Sequence, residues 1–199
     1  MSKVIAITNQ KGGVGKTTTC VNLAASLVAI KRRVLVIDLD PQGNTTMGSG
    51  IEKNTLRHSV LDVLTQKVGI NQVVHANTPA GYDLLPSNGD LTAAEVELIK
   101  VNQKEARLRL ALTQLQQSYD FVLIDCPPSL NMLTVNALVC ANSVLVPMQC
   151  EYYALEGISA LLNTVKFIKH SLNPELVIEG ILRTMYDPRN SLTNDVSHQ

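Results

Sequence analysis

The sequence predicts an α/β protein, a mainly parallel, doubly wound sheet with helices on both faces, formed as one domain over residues 1–199. Aliphatic runs alternate with amphipathic stretches, and no linker, repeat or low-complexity block interrupts them; that alternation is the mark of successive βαβ units. The composition is 45% hydrophobic but only 4% aromatic, with no Trp, so the core must be built from Val, Ile and Leu, as in parallel strands buried on both faces. A chain of 199 residues fills one such domain and falls short of two.

Taken in order, strands are expected at residues 3–8, 33–38, 82–85, 121–125, 143–147 and 177–184, with helices between them. The first helix is expected over 16–29. A long one over 155–169 carries Leu155, Ile158, Leu161, Leu162, Val165 and Ile168 on one stripe, which reads as core. Residues 57–80 are poorly patterned; a short helix over 59–64 is expected there, and no chemistry is assigned to it. Right-handed crossovers place ligands outside the carboxyl ends of the strands. The chain stops at Gln199 soon after the last strand, so further C-terminal elements are expected to be missing.

Lys plus Arg and Asp plus Glu both number 17, so overall charge argues for neither nucleic acid nor anionic membrane, and any such binding needs a local patch. Cys20, Cys126, Cys140 and Cys150 form no C-x-x-C pair, and no signal-like leader precedes the first strand; a reducing, cytoplasmic setting fits. No apolar run reaches the roughly 18 residues of a membrane span. The glycosylation pattern at Asn44, Thr45 and Thr46 is therefore read as chance.

Chemistry begins at Gln10–Thr18, QKGGVGKTT, between the first strand and the first helix. A strand feeding a glycine-rich turn and a helix N-terminus gathers backbone N–H groups and the positive end of the helix dipole at one point, which suits a polyphosphate. Gly12, Gly13 and Gly15 permit unusual dihedrals and close approach, Lys16 would neutralise β/γ-phosphates, and Thr17 would hold Mg²⁺. Val14 and Thr18 complete the cradle. The common pattern G-x-x-x-x-G-K-[ST] asks for Gly where this chain has Gln10, and a second lysine, Lys11, heads the loop.

This loop resembles the deviant Walker A loop of the ParA/MinD class of P-loop ATPases. The resemblance implies a P-loop NTPase fold and a Lys11 that reaches across a dimer interface to the nucleotide of the other subunit. A second string, VLVIDLDPQGN at 34–44, ends a strand in two acids separated by one residue, so the two carboxylates are expected to point the same way off the strand. In the family, Asp40 serves the attacking water and Asp38 the water shell of the metal. A third, YDFVLIDCPPS at 119–129, delivers Asp125, which in P-loop ATPases holds Mg²⁺ through water beside Thr17; the Cys-Pro-Pro-Ser turn resembles a γ-phosphate switch. Cys126 is read as a packed thiol, since the strings that hold the cluster of the related nitrogenase iron protein are absent.

The string PMQCEYYALEG at 147–157 yields no chemistry of its own, but it is similar to the Soj/ParA partition branch. Arg189 matches an arginine implicated there in nonspecific DNA binding; Lys166, Lys169, His170 and Arg183 are candidates to extend a basic patch. The resemblance as a whole implies a slow Mg²⁺-dependent ATP hydrolase that forms a homodimer with ATP, binds DNA, is nucleoid-associated and is released by a ParB-like activator. The alternatives are a MinD-type positioning scaffold acting on membrane or protein cargo, and a carboxylate-activating synthetase of the same fold.

Overall fold

The structure is a computed structural model and describes residues 2–151, 154–189, 193, 195 and 196. Six strands, β1 (Lys3–Ile7), β2 (Val34–Asp38), β3 (Asp83–Leu85), β4 (Phe121–Asp125), β5 (Ser143–Gln149) and β6 (Val177–Thr184), form one sheet in the order β3-β2-β4-β1-β5-β6. Every strand pair is parallel, and one isolated antiparallel bridge joins His75 to Leu84. The helices are α1 (Lys16–Ala29), α2 (Asn44–Gly48), α3 (Val60–Leu64), α4 (Ala94–Ile99), α5 (Arg107–Leu112), α6 (Met132–Cys140) and α7 (Ala154–Ser171).

Alternation along each strand sends neighbouring residues to opposite faces, and the core divides accordingly. Ala6, Leu35, Ile37, Val122, Ile124 and Val144 pack with the helices from α3 to α7. Ile5, Ile7, Val34, Val36 and Leu123 face the other way and pack with Cys20 and Ala24 of α1. In α7, Ile158, Leu161, Val165 and Ile168 of the expected stripe are buried and Leu162 packs partly buried against the core; the side chain of Leu155, like Tyr152 and Tyr153 of the family-like string, lies outside the described residues.

The edge strand β6 is exposed on both faces. Val177, Ile178, Ile181 and Leu182 of the edge strand β6 are 40–49% exposed, whereas β2 is buried throughout. The short α3 is fixed by its own ends: Ser59 accepts from Leu61 N, and the Asp62 carboxylate accepts from Ser59 N, a reciprocal cap that satisfies otherwise unpaired donors.

Candidate phosphate and metal site

β1 aims the chain at the site, and Asn9 fixes where the loop starts. Its amide donates to Pro147 O (2.8 Å) and accepts from Lys11 N (3.0 Å). Gly13 and Gly15 have φ of +73° and +85°, left-handed values that disfavour a Cβ. At Gly12 and Gly13 an added Cβ would meet nothing within 4 Å, so the loop stands over open space. Thr184, at the end of β6, donates to Val14 O (2.9 Å) and clasps the loop from the far side. α1 begins at Gly15 without a side-chain cap, leaving its first N–H groups free to receive an anion.

Lys16 is 7% exposed and curls back to donate to Lys11 O (3.0 Å). Burial lowers its proton affinity; Asp125 and Asp40 oppose that. Thr17 Oγ1 donates to Asp125 Oδ2 at 2.7 Å, and Thr45 Oγ1 donates to the same oxygen at 2.6 Å. Asp125 Oδ1 is buried and has no partner. Burial pushes this carboxyl up, against the two threonine hydrogen bonds.

That unpartnered carboxylate oxygen beside a threonine hydroxyl suits a hard cation. The described residues contain no group of three or more His, Cys, Asp or Glu able to hold a metal, which disfavours an all-protein cage. Mg²⁺ fits, because it takes one or two protein oxygens and completes its shell with phosphate oxygens and water.

The pair of acids departs from expectation. β2 ends at Asp38, so Asp40 is not its alternate strand neighbour. Gly43, at φ +61°, turns the chain into α2 and brings Thr46 back onto Asp38: Oδ2 accepts from Thr46 N (2.8 Å) and Oγ1 (2.7 Å), while Oδ1 accepts from Asp40 N (3.0 Å). Both oxygens of Asp38 are engaged as anchors of the turn. Its carboxyl is raised to about 7 by burial, which outweighs those hydrogen bonds. Asp40 is 9% exposed, accepts from Gln42 N, and its carbonyl is held by Ser87 Oγ (2.8 Å).

Thr45 and Thr46 are site residues that sequence reasoning missed. The string that looked like a chance glycosylation pattern contains two buried hydroxyls, one on each of the acids Asp125 and Asp38. Glu151 was missed as well. Its carboxylate forms an ion pair with Lys11 Nζ, both side chains being partly exposed, so the opening of the family-like string touches the extra lysine of the loop. Thr18 lines a cavity of about 510 Å³ that adjoins the loop through Gly15 and Thr184 and runs along α1 past Asn22 to Ser26.

The basic residues do not form one patch. Lys166, Lys169 and His170 line a cleft of about 410 Å³ at the end of α7, by the start of β6. Arg183 lies near the opposite end of that strand, its guanidinium 4.7 Å from the centroid of the Tyr186 ring. Arg189 is exposed, and Asp187 takes its Nε and Nη2 at 2.9 Å each. Cys20 and Cys126 are fully buried, and burial raises both thiols well above their ordinary range, as packed cysteines should be.

A parallel sheet with a glycine loop, a lysine, a threonine and an acid at its carboxyl edge defines a P-loop NTPase-type protein. Comparison with known proteins places it more closely. The AAA domain family model matches residues 2–178. Sporulation initiation inhibitor protein Soj of Bacillus subtilis is 52% identical over 192 residues, 96% of this chain and 76% of that protein. The chain belongs to the ParA/Soj family of partitioning ATPases.

Solved structures agree on the fold. One described as cobyrinic acid a,c-diamide synthase of Mycobacterium smegmatis, with an ATP analogue and magnesium bound, is 42% identical at a TM-score of 0.95, over 100% of this chain and 81% of that one. A plasmid partition protein of Borrelia burgdorferi is 29% identical at a TM-score of 0.86, over 99% and 84%.

Proposed function

We propose that the chain is a Mg²⁺-dependent ATPase of the partitioning type. ATP closes two copies into a dimer, the dimer holds DNA without sequence preference in the cytoplasm, and hydrolysis stimulated by a ParB-like partner releases it. The observation that carries this reading is the meeting of buried Lys16 and Asp125 with partly exposed Thr17 at one point, with Asp40 nearby. The ATP analogue and magnesium of the mycobacterial structure support the same cofactors here.

Mg²⁺ would be held beside Thr17 and Asp125 and would supply positive charge against the polyphosphate. The chain does the rest. Backbone N–H groups of residues 12–16 cradle the phosphates, and Lys16 exchanges the Lys11 carbonyl for phosphate oxygens. Thr17 Oγ1 and Asp125 Oδ1 hold the metal, directly or through water. Asp40 orients the attacking water, and Asp38 keeps the loop bearing Asp40 in place. Lys11 leaves Glu151 and extends to the nucleotide of the other subunit. Turnover is slow until that cation and the activator arrive, because charge in the transition state is otherwise poorly balanced.

A synthetase that activates a carboxylate needs a cation to hold its substrate. The cavity beside the loop is lined by Gly15, Thr18, Asn22, Leu145, Leu182 and other uncharged residues, which supports the partitioning reading. Among the described residues no helix is long and apolar enough to cross a membrane.

The test is whether ATP makes the protein retain random duplex DNA, measured beside anionic vesicles. Retention on DNA alone, lost in Lys11→Ala together with the dimer seen by light scattering, is the expected result. Retention on vesicles alone would establish the MinD-type alternative.

A further inference from the structure

One buried cation away from the phosphate loop has no opposing charge. Arg107, at the start of α5, is 6% exposed. Its Nε donates to Leu64 O at 3.2 Å, and the Gln66 amide, with its oxygen turned toward the guanidinium, accepts from Nη1 at 3.3 Å and Nη2 at 2.6 Å. Those acceptors satisfy hydrogen bonds but are neutral. Among the described residues Arg107 forms no ion pair, and burial alone shifts its proton affinity, downward. Lys16, the other buried cation, has Asp125 and Asp40 close by.

An arginine cannot escape burial by giving up its proton, and a buried charge without a partner of opposite sign is unfavourable. Arg107 also lines a cavity of about 220 Å³, together with Val63, Gln66, Val68, Ile70 and Gln114. An anion there would supply the missing charge. Guanidinium N–H groups match the two oxygens of a carboxylate or phosphate, and a guanidinium has five such donors, of which Leu64 and Gln66 engage three. The valine and isoleucine walls suit methylene groups and waste the remaining oxygens of a phosphate. Ligand sites for larger molecules usually exceed about 300 Å³, so the cavity favours a ligand smaller than a nucleotide.

We propose that the Arg107 cavity binds a carboxylate carried on a short aliphatic stem, either a free acid or an acidic side chain of a polypeptide. It shares no residue with the phosphate loop or its acids, so it stands or falls independently of the ATPase reading.

The test titrates sodium butyrate into the whole ¹⁵N-labelled protein, following the Arg107 Nε–H resonance against sodium chloride at equal ionic strength. A saturable shift in the millimolar range, and a melting temperature raised by about 3 °C near saturation, are expected. Arg107→Met should abolish the thermal effect. Should that variant not fold, Val68→Glu decides: a carboxylate built into the cavity should move the Arg107 resonance and block butyrate. The peptide acetyl-Gly-Glu-Gly-amide binding as tightly as butyrate supports a polypeptide source, and its exclusion supports a free acid. No saturable shift, a shift matched by chloride, or tighter binding of inorganic phosphate would overturn the assignment.

Discussion

At the carboxyl ends of β1, β2 and β4, the acids and Lys16 are buried and tied to named partners. Along β6 and the loop after it, apolar and charged side chains alike stand in solvent, and Arg189 is paired with its neighbour Asp187. The first region holds charges in places where water cannot relieve them, so each substitution leaves a group stranded. In the second, water can relieve a charge whose partner is removed, so single substitutions should cost less there. Chemistry is concentrated on one side, and the proposed DNA contacts are spread over the other.

Lys16→Ala should break the first region most completely. It removes the cation of the loop, and ATP affinity measured by calorimetry should fall at least about a hundredfold, roughly 3 kcal/mol; unchanged affinity would sink the cradle. Asp40→Ala should retain ATP within a few-fold while turnover drops by about 10² or more, and the protein should accumulate as a dimer. Wild-type turnover in that variant would remove Asp40 from the reaction.

Thr45→Val sharpens the contrast, because it touches no phosphate in the proposed mechanism yet takes away one of the two hydroxyls on Asp125 Oδ2. Stability in urea should fall by about 1–3 kcal/mol, and Mn²⁺ binding followed by electron paramagnetic resonance should weaken. A surface-like change below about 0.5 kcal/mol would show that Thr45 is a bystander. Smallest is Arg189→Glu: DNA affinity should drop only a few-fold, since Asp187 already offsets the charge, and the salt slope should lessen by about one unit. An unchanged slope removes Arg189 from the DNA surface.

The same division explains what could be read from the chain. α1 over Lys16–Ala29 and the strands β4 and β6 were legible to the residue, because glycine punctuation and aliphatic runs are local signals. Asp125 was legible for the same reason, as an acid ending an apolar strand. Thr45, Thr46 and Glu151 were not, since their partners lie 80, 8 and 140 positions away and hydroxyls or a carboxylate in loops carry no periodicity. The relative placement of Asp38 and Asp40 was not legible, because the strand stops at Asp38 and Gly43 folds the following turn back over it. The basic residues were legible as charges, but only the fold could show that α7 and β6 carry them to opposite ends of the sheet.

The strand order has a consequence for how the protein is made. β1 is made long before its neighbours β4 and β5, which begin at Phe121 and Ser143. Until more than half of the chain has been synthesised, its Ile5 and Ile7 lack the strands that will flank them, and β2 waits for the same β4. Pairings so distant in sequence form slowly and leave apolar strand edges open to other chains in the interval. The phosphate loop likewise waits for a distant strand, since its clasp from Thr184 to Val14 cannot form before β6 has been made.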